Sequence, residues 1–253
     1  MIIDLIAGAR PNFIKISAII RAFDNYTKKK NFNYRLIHTG QHYDNNMSNT
    51  FFKELNIPNP DFNLNCGGGS QAEQTSKIMI EYEKILKIKC PVLCLVVGDV
   101  NSTLACAITA KKSGVKVAHV EAGIRSGDIL MPEEINRIVT DSITDFFFTT
   151  SEFANKNLIN LGVDKNKIFY VGNTMIDTLL FNLKKFKKPD IWDKLNLSKN
   201  NYIVITLHRP SNVDEKNTLE NYLLEIINNS NGLPIIFPVH PRTKKILNPN
   251  FIN

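Results

Sequence analysis

Asp99, Glu121 and Glu133 are carboxylates in places where an acid is hard to explain as mere surface. Asp99 follows an apolar run in VVGDVNST, Glu121 closes KVAHVE, and Glu133 opens the segment PEEINR. Acids gathered in a partly dry cleft raise one another's pKa, which suits them to general acid and base chemistry. Asn101 or Ser102 reads as the cap of the helix after Asp99, and capping does not account for Asp99 itself. His119 falls on the same side of its strand as Glu121. Glu133 and Arg137 also fit an ordinary i,i+4 ion pair at an acid-favouring helix start, a reading that suits Glu134 better than Glu133.

Cations occupy similar positions. Arg10 lies in the turn of GARPNFIK and Lys15 one helical turn later. Two positive charges at a helix N-terminus, with unpaired N–H groups and the helix dipole, make an anion site. The competing reading is an Arg10 that bonds turn carbonyls and a solvated Lys15. His42, with Gln41 beside it in TGQHYD, is either a ligand contact or an ordinary loop histidine. His208 and Arg209 in TLHRPS suit a proton shuttle and a phosphate clamp, and His240 and Arg242 in PVHPRT repeat the arrangement. No GxxxxGK[ST] motif occurs, and Gly67-Gly68-Gly69-Ser70 follows no clear strand and reads as a flexible turn. These residues point to an enzyme that binds a phosphorylated ligand between two units. They do not name the reaction.

The elements that must position them alternate. Strands are predicted over 2–7, 34–39, 92–97, 116–121, 146–150 and 168–171, then over 202–207 and 234–239. Helices are predicted over 11–27, 47–55, 71–88, 102–113, 132–144, 152–161 and 218–229. Ser151 fits a helix N-cap, while Pro11 and Pro132 fit a first turn. Such alternation makes an α/β protein with a parallel sheet covered by helices on both faces, its ligands at the carboxyl ends of the strands. Residues 1–184 read as one complete doubly wound domain and 185–201 as a basic, Asn-rich connection. Residues 202–253 read as the first part of a second domain, since two strands fall short of the usual five or so.

Composition narrows the classes. The chain has 253 residues, 28.7 kDa, a formal net charge of +7, 43% hydrophobic and 22% charged residues. That excludes a disordered or collagen-like chain, and no apolar run approaches the roughly 20 residues of a membrane helix. The N-terminus lacks a secretory pattern, so a cytoplasmic protein is expected. Cys66, Cys90, Cys94 and Cys106 form no zinc or disulfide pattern. Clusters such as Lys28-Lys29-Lys30 and Lys111-Lys112 lack aromatic interleaving and read as solvated surface, not a nucleic-acid site.

The segments GARPNFIK, TGQHYDNNMS, VVGDVNSTLA, HVEAGIRS with MPEEINR, VGNTMIDTL, TLHRPSNVD and PVHPRT follow in this order along the chain. Together they resemble the non-hydrolysing UDP-N-acetylglucosamine 2-epimerases, HVEAG with MPEEINR being the most specific pair. The resemblance implies two Rossmann-like doubly wound domains in a GT-B-like arrangement, the second incomplete. It implies epimerisation of UDP-N-acetylglucosamine to UDP-N-acetylmannosamine for surface polysaccharide precursors. UDP is eliminated anti to the C2 proton, a 2-acetamidoglucal forms, and UDP adds back. By motif, Asp99, Glu121, Glu133 and His208 correspond to the catalytic set, with the C2 base not assigned among them. Arg10, Lys15, Arg209 and Asn173 correspond to UDP-binding residues. Gln41, His42, His240 and Arg242 correspond to an allosteric region where substrate is also the activator. No metal and no cofactor are implied. The implied partners are the UDP-sugar and an identical subunit in a homodimer, without nucleic acid or membrane. Family members continue past PVHPRT with an SGG…E segment that holds uridine and phosphates. The chain therefore reads as C-terminally truncated, with little or no activity expected of it alone. Alternatives are a 2-epimerase of a modified UDP-HexNAc, such as a 2,3-diacetamido uronic acid, and an inactive UDP-sugar-binding remnant. A glycosyltransferase shares the fold but shows no acceptor site.

Overall fold

The computed structural model describes residues 1–27, 33–40, 52–207, 210–239 and 241–247. They form two units, Met1–Lys185 and Phe186–Asn253. The first is built on seven parallel strands: β1 (Ile2–Ala7), β2 (Asn33–His38), β3 (Phe62–Asn63), β4 (Leu93–Val97), β5 (Lys116–Val120), β6 (Phe146–Thr149) and β7 (Ile168–Tyr170). Their order in the sheet is β3-β2-β1-β4-β5-β6-β7. The order reverses between β1 and β4, and ligand crevices of such sheets lie outside the carboxyl ends at that point.

Side-chain alternation sends each strand's apolar residues to two cores. Ile6, Ile37, Cys94, Val96 and Val117 pack in one cluster. Leu5, Ala7, Leu95, Val97, Ala118 and Val120 pack in the other, with Phe13, Ile16 and Ile20 of α1 (Arg10–Thr27). Both faces are covered, as a parallel sheet requires. The cysteines at 94 and 106 are buried and free, small core residues as expected.

Local signals set the helix starts. α2 (Gln71–Ile88) begins with a capping box: Glu73 N–H donates to Ser70 Oγ at 3.2 Å, and Ser70 N–H donates to Glu73 Oε2 at 2.7 Å. The glycine run thus ends in a residue tied down by two bonds. α3 (Asn101–Lys112) has Val100 at its N-cap with no side-chain bond, so neither Asn101 nor Ser102 caps it. α4 (Pro132–Ile143) has Pro132 at its start, and α5 (Glu152–Asn160) is capped by Ser151, whose Oγ accepts from Ala154 N–H. α6 (Thr174–Asn182) follows β7.

In the second unit, α7 (Asp190–Lys194), β8 (Ile203–Val204), α8 (Pro210–Val213), α9 (Lys216–Asn228), β9 (Ile235–Ile236) and α10 (Pro241–Lys244) follow in turn. β8 and β9 are parallel neighbours, and Val213, Leu219, Leu223 and Leu247 form a small core.

The differences from expectation are local. β3 and α6 were not anticipated: β3 is two residues inside a polar stretch, and α6 follows β7 after only three residues. The strands predicted over 202–207 and 234–239 shrink to two residues each, and among the described residues each has a single neighbour to pair with. Most of the helix predicted over 47–55 lies outside the described residues. No helix among the described residues is long and apolar enough to cross a membrane.

Candidate active site

The carboxyl end of β1 turns directly into α1, and Asn12 closes the corner. Its Oδ1 accepts from the N–H groups of Gly8 (3.2 Å) and Ala9 (2.9 Å), and its Nδ2 donates to the Val97 carbonyl at 2.9 Å. Gly8 has no room for a side chain, since a Cβ would lie 1.9 Å from Ser102 Oγ. This alters the expected anion site. The Gly8 and Ala9 N–H groups are taken by Asn12, that of Asn12 by the Ala9 carbonyl, and Pro11 has none. Arg10 is exposed at the helix start. Lys15 is buried, not solvated, and its Nζ is ion-paired with Glu121.

Glu121 follows β5 with φ +72°, a left-handed conformation that a residue with a Cβ rarely adopts. Gly98 ends the neighbouring β4 at φ +70°, and a Cβ there would sit 3.0 Å from Lys15 Nζ and 3.5 Å from Glu121 Oε2. Gly98 thus leaves the space in which the ammonium and carboxylate meet. Asp99 is next in the chain, part exposed, and pairs with Arg137 Nη1.

α4 lies behind both acids. Arg137 bridges Asp99 and Glu134, its Nε donating to Glu134 Oε2 at 2.8 Å. Asn136 Nδ2 donates to the Asp99 carbonyl at 2.8 Å and to Asn101 Oδ1 at 3.2 Å. Glu134 is buried and accepts from the N–H groups of Ser126 (3.0 Å) and Gly127 (3.2 Å). Burial pushes its carboxyl up, but the Ser126 N–H, Arg137 and the Gly127 N–H outweigh burial and hold it at about 2. The i,i+4 pair between Glu133 and Arg137 is not formed; Glu133 is exposed.

The structure therefore brings Lys15, Glu121, Asp99 and Arg137 to one sheet edge, with Glu133 on the adjoining helix turn. Asn173 caps α6, its Oδ1 accepting from Met175 N–H at 2.9 Å. Gln41, His42, His208, Arg209 and His240 lie outside the described residues, and Arg242 falls in α10. His119 is wholly buried against Asp141 of α4, whereas Glu121, beyond the end of β5, meets Lys15 of α1, so the expected shared side is not what the contacts show. Asn12, Asn136 and Asp141 were not singled out from the sequence, whereas Glu134 was read there as a structural ion-pairing acid, which its pair with Arg137 bears out. The signal for α4 was its polar spacing, since 134, 137 and 141 fall on one helix face. Among the described residues, no three His, Cys, Asp or Glu side chains group to hold a metal.

A family model described as UDP-N-acetylglucosamine 2-epimerase matches residues 24–253. The chain is 47% identical over 253 residues to the UDP-N-acetylglucosamine 2-epimerase of Methanocaldococcus jannaschii, covering 98% of this chain and 68% of that protein. It is 40% identical over 247 residues to the UDP-2,3-diacetamido-2,3-dideoxy-D-glucuronate 2-epimerase of Pseudomonas aeruginosa, covering 96% and 67%. The structure matches that of the M. jannaschii enzyme in complex with UDP-GlcNAc and UDP at a TM-score of 0.84, with 98% and 68% covered.

Proposed function

Since this chain belongs to the UDP-N-acetylglucosamine 2-epimerase family, we propose that it binds UDP-N-acetylglucosamine and inverts C2 of the sugar to give UDP-N-acetylmannosamine. The Lys15–Glu121 pair against Gly98, with Asp99 next in the chain, at the carboxyl ends of β4 and β5 beside the reversal in strand order, carries this reading furthest.

In that reaction a base takes the C2 proton while the C1–oxygen bond to UDP breaks on the opposite face. The electrons of the C–H bond become the C1–C2 double bond of a 2-acetamidoglucal, and UDP leaves with the electrons of its own bond. A proton delivered to the other face of C2 and re-addition of UDP complete the inversion. Asp99, Glu121, Glu133 and His208 are the groups for these transfers. Lys15, Arg10, Asn173 and Arg209 hold the UDP. A diphosphate arriving at Lys15 competes with Glu121 for the ammonium and leaves that carboxylate free to accept a proton.

Within this reading residues 1–184 carry the catalytic carboxylates, 185–201 connect, and 202–253 begin the UDP-binding domain. Kinship alone extends it to a cytoplasmic homodimer that supplies a surface polysaccharide precursor, activated by its own substrate near Gln41, His42, His240 and Arg242. The 40% identity to the diacetamido-glucuronate 2-epimerase supports a second reading, the same chemistry on a modified UDP-HexNAc.

Incubation with UDP-N-acetylglucosamine in D2O tests the proposal. The expected product is UDP-N-acetylmannosamine with deuterium at C2, formed slowly, since this chain by itself is expected to have little activity. Turnover of the diacetamido uronate alone favours the second reading. A thermal shift with UDP but no deuterium in any sugar overturns epimerisation in favour of a UDP-sugar-binding module.

A further inference from the structure

Behind Glu121 lies a buried polar cluster that the proposed chemistry does not use. His119 is fully buried in β5, two residues before Glu121. Its Nε2 donates to the Gly98 carbonyl at 2.9 Å, and its Nδ1 lies 2.7 Å from Asp141 Oδ1. The other oxygen of Asp141 accepts from Gly123 N–H at 3.0 Å and pairs with Arg125 Nη1 at 2.7 Å. Both imidazole nitrogens thus face oxygens. Burial pushes the Asp141 carboxyl up, but His119 and Arg125 outweigh it and keep it ionised below the ordinary range.

From these contacts we infer that Asp141 is a positioning residue for Glu121, a role that rests on the epimerase reading above. The chain between β5 and Arg125 is held at both ends of Glu121. Upstream, Asp141 orients His119, which ties β5 to the Gly98 carbonyl at the end of β4. Downstream, it holds Gly123 and Arg125. Gly123 has no latitude on its other side, since a Cβ there would lie 2.5 Å from the Ala154 carbonyl oxygen and Asn157 Nδ2 donates to its carbonyl at 2.9 Å. Glu121 keeps its left-handed backbone because this surround, together with the Glu121 and Ala122 N–H groups that donate to the Phe148 carbonyl, over-determines it. That conformation aims its carboxylate at Lys15. Loss of one anchor leaves a flexible acid, and a displacement of about 1 Å at a reacting group costs on the order of a hundredfold in rate.

Two measurements on the full chain test the role. The first needs no turnover: the ¹³C signal of the Glu121 carboxyl, identified by its loss in Glu121→Gln. Asp141→Asn is expected to move it. Asp145→Asn, which removes an acid tied to Lys111 and the Val117 N–H at the opposite end of β5, is expected to leave it in place. The second is deuterium exchange at C2. Asp141→Asn is expected to lower kcat by about tenfold to a hundredfold with KM within about threefold. Should Asp141→Asn fail to fold, Arg125→Gln removes one anchor only and carries the same expectation at smaller size. An unmoved Glu121 signal overturns the role, as does a moved signal with unchanged kcat. A wild-type chain that exchanges no C2 proton overturns the epimerase reading instead, and the carboxyl signal then decides on Asp141 alone.

Discussion

At the scale of single residues, the Lys15–Glu121 pair is the centre of the site. The two side chains keep 11% and 12% of their surface, so each charge depends on the other. Removing one partner leaves an uncompensated buried charge, which costs about 3 kcal/mol, the low end of the range for fully buried pairs. Lys15→Met is therefore expected to destabilise more than the double change Lys15→Met with Glu121→Gln, which removes both charges. Urea denaturation of the wild type, the single variant and the double variant checks the order. Gly98→Ala is expected to cost about 1–2 kcal/mol, because it forces a Cβ into a left-handed conformation beside Lys15. Asp99, Glu121 and Lys15 were legible as candidates from their places at strand ends. Their partners were not: Lys15 and Glu121 stand 106 residues apart, and no local pattern links them.

At the scale of elements, α4 inverts the usual amphipathic rule. It buries Glu134, Asn136, Arg137 and Asp141 and leaves Ile135 and Ile138 exposed. A helix that buries charges must satisfy each of them, and α4 does so with loop N–H groups, Asp99 and His119. The consequence is a dependence on acid. Glu134 is held at about 2 against an ordinary 4.5, so the folded state favours its ionised form. Its contribution to stability is fully present above about 4.5 and is lost as pH falls towards 2. Denaturant midpoints measured down this range are expected to drop in the wild type and to flatten in Glu134→Gln. α2 shows the ordinary case. Its capping box was in reach of the sequence, because Ser70 and Glu73 have the required spacing, and Ser70→Ala is expected to cost about 1 kcal/mol in thermal or urea melts. The i,i+4 pair of Glu133 with Arg137 competed in the sequence with the i,i+3 pair of Glu134 that the structure forms, and the ion-pair reading suited Glu134 better. Spacing alone could not choose, since both neighbours lie within reach along one helix.

At the scale of the whole molecule, the two units differ in what holds them. Met1–Lys185 has a seven-stranded sheet with a core on each face, whereas the described part of Phe186–Asn253 has two short strands and a core of four buried apolar residues. Local stability follows buried contacts, so amides of β8 and β9 are expected to exchange with solvent much faster than those of β4 and β5. Hydrogen exchange read by mass spectrometry checks this, and equal protection in both sheets would refute it. The sequence by itself determined the α/β class, the order of most elements and the family, because apolar period, helix caps and motif residues are written in contiguous stretches. It determined too that acids stand at the ends of β4 and β5. Only the tertiary structure decided that Asn12 reaches the Val97 carbonyl, that Arg137 holds Asp99, and that Asp141 anchors the turn after Glu121. These pairings depend on where each helix lands on the sheet. That placement is set by packing summed over both cores, and no single segment of the chain contains it.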